Sequence, residues 1–370
     1  MPTAHVTNEN LVVGVDLGGT QIRTAVLRGA QLISRVGLPT GEDTTPERLI
    51  PRIYTAIEQA LDEAHTTLDQ IAGIGIGAPG PLDNRTGVIF APPNLPGWKR
   101  VPVRDLFEEH FKSAAGQKIR VVVENDANAA GLGEYMFGAG RGSRDMVYLT
   151  ISTGIGGGVI VDGKIMEGTE GMAGELGHMT IDWHGERCNC GNIGCLEALA
   201  SGTAIARYAN EAIAAGQGAE LVEFVHALQQ HVKEPDSSEL AEHDSIEHKH
   251  AAGDVGRLHV SARIVSQAAQ AGIPLARAII GSAAEALGVG LVNIIHIFNP
   301  EVIILGGGVT QMEAMLMEPA LRIVQERAMA RPRDAVRIVL AELGVNTGLV
   351  GAGALIYSVG FESPRDSSRG

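Results

Sequence analysis

One pattern occurs twice in this chain: an apolar run, a glycine-rich turn, and a returning apolar run. The first copy is Leu11–Asp16, then Gly18-Gly19-Thr20, then Gln21–Leu27. The second is Met146–Ser152, then Thr153-Gly154-Ile155-Gly156-Gly157-Gly158, then Val159–Asp162. Apolar runs of this length, bounded by glycine, read as strands joined by tight turns. Their repetition suggests two related halves that clasp one ligand. A third cluster, Gly306-Gly307-Gly308, follows a strand expected over Glu301–Leu305. The chain holds 48 glycines in 370 residues. Much of that glycine sits just after apolar runs, which suggests backbone approaching a ligand rather than a flexible linker. Amide N–H groups in such turns can converge on phosphate oxygens. The nucleotide-binding candidates are therefore Asp16, Gly18, Gly19, Thr20, Thr153, Gly154, Gly156, Gly307 and Gly308. Asp16 suits the hydration shell of Mg²⁺, which prefers a carboxylate and water, and Thr20 offers a hydroxyl. The spacing matches neither a Walker A motif nor a Rossmann fingerprint. Taken singly, each turn is equally well a tight hairpin.

The rest of the chain alternates strands and helices. Strands are expected at Ile71–Gly77 and Ile119–Glu124, and helices at Pro46–His65, Val101–Phe111 (Leu106 and Phe107 facing inward) and Asn125–Phe137. A chain this long suggests two domains. The formal net charge of −14 repels phosphate backbones and anionic lipid, so neither nucleic acid nor membrane is expected as a partner. Residues 1–10 lack the apolar stretch of a signal peptide. The apolar region Val289–Val309 is interrupted by Asn293, His296, Asn299, Pro300 and Glu301, against a membrane span. A cytoplasmic protein is expected. Residues 217–257 are acidic and histidine-rich and read as a solvated helix–loop–helix excursion. Residues 363–370 are expected to be disordered.

Two segments carry chemistry. Glu124-Asn125-Asp126 ends a strand and opens a helix. Asp126 either caps that helix or acts as a general base on a sugar hydroxyl that attacks a γ-phosphate, with Asn125 orienting the sugar. The other segment runs from Gly174-Glu175-Leu176-Gly177-His178 to Cys188-Asn189-Cys190 and Cys195-Leu196-Glu197. All three cysteines of the chain fall here. An odd, tight cluster points to metal rather than disulfides. Three thiolates and one imidazole (His178, Cys188, Cys190, Cys195) complete a tetrahedral Cys₃His zinc shell with no open position, so the zinc would be structural. Glu175 and Glu197 flank the cluster and suit bidentate hydrogen bonding to sugar hydroxyls. In the loop Pro93–Trp98, Asn94 is placed to reach substrate, or Trp98 only packs the loop.

Taken together these segments resemble the ROK family of sugar kinases and sugar-responsive repressors, and most of all its bacterial glucokinases. The strings that carry the resemblance are VGVDLGGTQIRTAVL, IGIGAPGPLD, APPNLPGW, VENDANAAGLGE, ISTGIGGGVIVDGKI, AGELGHM, CNCGNIGCLEALASG and NPEVIILGGGV. The resemblance implies an α/β actin/hexokinase-like (ribonuclease H-like) two-domain ATPase fold with a cleft between the domains. The smaller domain would hold residues 1–124 with the C-terminal segment 351–370, and the larger 125–350. It implies Asp126 as base, with Asn125, Glu175, His178 and Glu197 on the sugar and Gly80 and Asn94 lining the same pocket. His178 would serve twice, one ring nitrogen on zinc and the other on a sugar hydroxyl. Glucose would be phosphorylated at its 6-hydroxyl by ATP with Mg²⁺, in a homodimer or a dimer of dimers. The alternatives are a kinase for N-acetylmannosamine, N-acetylglucosamine, fructose or mannose, polyphosphate as donor, and a repressor. A repressor would carry a DNA-binding segment before the first strand, where ten residues stand here.

Overall fold

The computed structural model describes residues 7–231, 259–312 and 314–358. Its first half is a sheet built on β1 (Leu11–Leu17), which pairs antiparallel with β2 (Gln21–Arg28). The short strands β3 (Gln31–Leu32) and β4 (Val36–Pro39) extend β2. After helix α1 (Pro46–Glu63), β5 (Ile71–Ala78) lies parallel to β1 on its other side. A small hairpin sheet of β6 (Leu82–Asp83), β7 (Val88–Ile89) and β8 (Val101–Pro102) follows, then α2 (Val103–His110). Strand β9 (Val121–Asn125) closes the sheet parallel to β5 and leads into α3 (Asp126–Phe137).

The second half repeats the plan. Strand β10 (Met146–Ile151) pairs antiparallel with β11 (Ile155–Val161), and β12 (Lys164–Ile165) extends β11. Among the described residues, α4 (Leu196–Ala200), α5 (Gly202–Ala214), α6 (Ala219–His231) and α7 (Ala262–Gln270) come next. The long α8 (Pro274–Phe298) leads to β13 (Val302–Gly306), parallel to β10. Helices α9 (Ala314–Arg327) and α10 (Ala330–Ala335) precede β14 (Arg337–Leu340), parallel to β13. The chain ends its described course in α11 (Thr347–Ser358). The sheet orders β3-β2-β1-β5-β9 and β12-β11-β10-β13-β14 are therefore the same arrangement used twice.

Three sequence expectations need correction. The second glycine run is not all turn: Gly156, Gly157 and Gly158 lie within β11 and pair with Thr150, Leu149 and Tyr148. Helix α3 crosses β11 so closely that a Cβ at Gly158 would stand 2.8 Å from the carbonyl oxygen of Ala127, so glycine here clears a helix. In α2 Phe107 faces inward with Val103, whereas Leu106 is exposed. Neighbours on a helix point about 100° apart, and with Val103 and Phe107 turned to the core, Leu106 falls toward solvent. The long apolar helix is α8, which starts before the segment singled out above. Its 25 residues are long and apolar enough to cross a bilayer, but 67% of its most apolar window is buried against the second half. It starts on Pro274 and stops at Asn299, whose left-handed φ of 45° and N–H to Ile295 O form the C-cap. Of the acidic 217–257 segment, Ala219–His231 is helical, residues 217–218 lead into it, and 232–257 lie outside the described residues, as do 363–370.

The halves are joined through α3 and α11, which pack on each other and, through α11, on β1 and β5. Glu134 of α3 pins this joint. Its fully buried carboxylate accepts backbone N–H groups from Ala139 (2.9 Å), Glu342 (3.1 Å) and Leu343 (2.9 Å), tying α3 to the lead-in of α11.

Candidate active site

Asp126 stands where β9 becomes α3, next to the joint. The capping role belongs to its neighbour: Asn125 Oδ1 accepts the N–H groups of Ala127 (2.9 Å) and Asn128 (3.2 Å). That leaves the Asn125 Nδ2 free to donate, and it lies 3.5 Å from where a Cβ on Gly80 would sit. Asp126 is left with one local bond, from Ala127 N (2.8 Å). Its side chain is open to water yet ringed by protein. Loss of hydration pushes its carboxyl up to about 7; the charges of Asp16 and Glu175 act the same way, and the Ala127 N–H opposes them.

The first glycine turn faces it. Asp16 is buried and ion-paired with Arg23, its cross-strand partner in β2, and Arg23 also donates to Val345 O (3.2 Å). Arg23 escaped the sequence reading, though the hairpin register alone puts residue 23 opposite residue 16. Thr40 takes up two carbonyls of the turn: its Oγ1 donates to Gly18 O (2.8 Å) and its N–H to Thr20 O (2.8 Å). Asn94 lies against Gly19, where a Cβ would stand 3.0 Å from that of Asn94. Trp98 is buried and donates to Thr44 O (2.7 Å), so it packs the loop.

In the second turn, Ser152 O accepts from Gly202 N (2.7 Å), and Thr153 O accepts from Thr203 N (3.2 Å) and Thr203 Oγ1 (2.8 Å). These carbonyls are thereby fixed on the first turn of α5. The N–H of Ile155 is donated to Glu197 Oε2 (2.9 Å), and a Cβ on Gly154 would collide with that same oxygen. Gly154 is thus explained by clearance for Glu197, and one Glu197 oxygen is committed to the turn. In the third cluster, Gly307 (φ 89°) backs onto Ile151 O, whereas Gly308 faces open space.

His178, Cys188, Cys190 and Cys195 converge, their ligand atoms all within 4.8 Å of one another. His178 Nδ1 is 3.6 Å from Cys188 Sγ, and the sulfurs of Cys190 and Cys195 are 3.7 Å apart. A tetrahedron with Zn–S of about 2.3 Å and Zn–N of about 2.0 Å has edges of roughly 3.5–3.8 Å, so the donor set fits Zn²⁺. Burial raises the Cys188 thiol and pushes Cys195 up to about 12, while the Asn192 N–H lowers Cys190, so holding Cys188 and Cys195 as thiolates calls for a cation between them. With Nδ1 toward the sulfurs, His178 Nε2 points toward Glu175, 3.9 Å away. Glu197 Oε1 lies 3.9 Å from Cys188 Sγ. The metal loop therefore reaches Glu175 on one side and, through Glu197, the second glycine turn on the other. A groove of about 560 Å³ beside α8, lined by Tyr208, Ile279, Ala286 and Arg327 among others, contains none of these residues.

Two like sheets, each built on a strand–glycine turn–strand unit, give the actin/hexokinase-like ATPase fold. The chain belongs to the ROK family, which it matches over residues 12–359. It is 35% identical to the glucokinase of Halalkalibacterium halodurans over 93% of this chain and 94% of that one. It is 30% identical to the xylose repressor of Caldicellulosiruptor bescii, over 94% of this chain and 78% of the repressor. Among solved structures it resembles a ROK glucokinase from Streptomyces griseus in complex with glucose and AMPPNP. That similarity is 31% identity and a TM-score of 0.72, covering 94% of this chain and 99% of that one.

Proposed function

We propose that this protein is an ATP-dependent sugar kinase that phosphorylates glucose at its 6-hydroxyl. The observation that carries the reading is Asp126: a carboxyl raised to about 7 at the start of α3, facing Asp16 of one glycine turn and Glu175 beside the metal loop. A base with that pKa can take a proton at neutral pH. Asp126 accepts the 6-hydroxyl proton as the sugar oxygen bonds to the γ-phosphorus and the bond from that phosphorus to the β,γ-bridging oxygen breaks, releasing ADP. Asn125 Nδ2, Glu175, His178 and Glu197 hold the sugar, with Gly80 and Asn94 lining its pocket. The phosphates lie against the turns at Gly18–Thr20, Thr153–Gly154 and Gly307–Gly308, where amides not already committed, as Gly18 N–H is to Gln21 O and Ile155 N–H is to Glu197, hold them. Asp16 holds hydrated Mg²⁺, which when bound neutralises charge on the transferring group. The Cys₃His set holds a structural Zn²⁺ that keeps the loop bearing Glu175 and Glu197 in place.

Residues 1–124 with 351–370 form one domain and 125–350 the other, and their closure excludes water from the phosphoryl transfer. Free metal-binding thiols suit a reducing cytoplasm. The similarity to glucokinases over nearly their full length supports glucose over mannose, fructose or the N-acetylhexosamines. A homodimer or dimer of dimers completes the proposal. The test is a coupled assay across these sugars, with ATP or polyphosphate as donor. Glucose with ATP should give the highest kcat/KM; absence of turnover on every sugar would overturn the reading.

A further inference from the structure

Glu124 precedes the proposed base and sits under the site, buried, with no cationic partner among the described residues. Three N–H groups hold its carboxylate. Oε1 accepts from Asn125 N (2.8 Å) and Asn128 Nδ2 (3.1 Å), and Oε2 accepts from Asn84 Nδ2 (2.9 Å). A carboxylate cannot donate, so both amides must turn their NH₂ groups to it. Their oxygens are thereby forced outward, and both Asn84 Oδ1 and Asn128 Oδ1 are buried without a partner. Such acceptors are costly unless something comes to meet them.

Both face one segment. A Cβ on Gly171 would stand 3.2 Å from Asn84 Oδ1, and one on Gly174 would stand 3.6 Å from Asn128 Oδ1. The segment is a strap closed at its base by Ala173 N to Glu167 O (3.0 Å), and it ends on Glu175. Gly168, Gly171 and Gly174 give it left-handed φ values of 72°, 73° and 91°, a conformation glycine adopts without steric cost. Asn84 belongs to the β6–β7 hairpin of the first half, and its neighbour Arg85 donates to Gly168 O (3.3 Å). The strap is thus seated between residues of both halves.

We propose that Asn84, Glu124 and Asn128 are positioning residues for sugar binding: Glu124 locks the two amides so that their oxygens accept strap N–H groups as the sugar arrives, which aims Glu175 at it. This rests on the reading of Glu175 as a sugar ligand. The experiment compares wild type, Asn84→Ala and Glu124→Gln by steady-state kinetics, calorimetry and hydrogen exchange of residues 166–178 with and without glucose. Wild-type protein should gain exchange protection in that segment on adding glucose. Asn84→Ala, on a half-buried hairpin where folding is least at risk, should lose that protection. Its glucose KM should rise about tenfold, the effect of one lost hydrogen bond, with ATP KM and kcat within about twofold. Glu124→Gln brings one NH₂ of its own, so one amide turns over and takes its oxygen away from the strap, and glucose KM should rise about as far as in Asn84→Ala; an unchanged KM would count against the proposal. If glucose binds and turns over in wild type but leaves segment 166–178 unprotected, or if Asn84→Ala keeps the wild-type glucose KM, the proposal fails while the kinase reading stands. If glucose binds nowhere, the kinase reading fails first.

Discussion

Asp126→Asn separates catalysis from stability, because the physics of the site drives them in opposite directions. As general base the carboxylate must be ionised to work. With its pKa at about 7, roughly a tenth of the free enzyme carries the ionised form at pH 6 and about nine-tenths at pH 8. In wild type, kcat/KM for glucose should therefore climb about tenfold per pH unit below the pKa and level off above about pH 8, since that ratio reports the free enzyme. Asparagine keeps the shape but cannot accept the proton. Loss of general-base assistance costs about 10²–10⁴ in rate, or about 3–5 kcal/mol of barrier, and the acid limb should vanish from what remains. Stability has the opposite sign. The folded pKa lies above the unfolded value, so the folded state binds more protons between about pH 4 and pH 7 and loses stability as pH rises through that window. At pH 8 the ionised Asp126 opposes folding, so Asp126→Asn should melt at or above wild type, the usual relation at a site shaped for activity. The assay couples sugar phosphate formation to a dehydrogenase from pH 5.5 to 9, with thermal melts at the two ends. A variant within tenfold of wild-type turnover, or one that keeps the acid limb, would refute the assignment of Asp126.

Cys190→Ala should drop zinc from about one equivalent to near none by elemental analysis and lower both melting temperature and glucose affinity; unchanged zinc content and melting would remove the structural role. Glu134→Gln places an NH₂ group where Ala139, Glu342 and Leu343 present their own N–H groups. Chemical denaturation should show a loss of about 2–3 kcal/mol, and a loss under 0.5 kcal/mol would show that the joint between α3 and α11 does not depend on this carboxylate.

What the sequence discloses and what it hides divide along contact range. The two strand–turn–strand units are legible because apolar runs and glycines are local signals, and the metal ligands because thiols have few other reasons to cluster. The choice between Asn125 and Asp126 as helix cap was also local, yet the residue types do not decide it, since both cap well. What decides it is that the helix starts at Asp126, one position after the strand's last pair between Ala78 and Asn125. The meaning of the glycines was hidden by range. Gly158 clears Ala127 and Gly154 clears Glu197, partners that become neighbours only when the fold closes. Read along the chain, both looked like phosphate turns. The same holds for Glu124, whose amide partner Asn84 lies 40 residues upstream. A buried carboxylate ahead of a proposed base looks like one more strand residue until its donors are known. A glycine-rich turn in such a chain therefore says that a backbone must approach something. Only the fold says whether that something is a ligand, a helix or another acid, and here Gly158 meets a helix and Gly154 an acid within a few residues of each other.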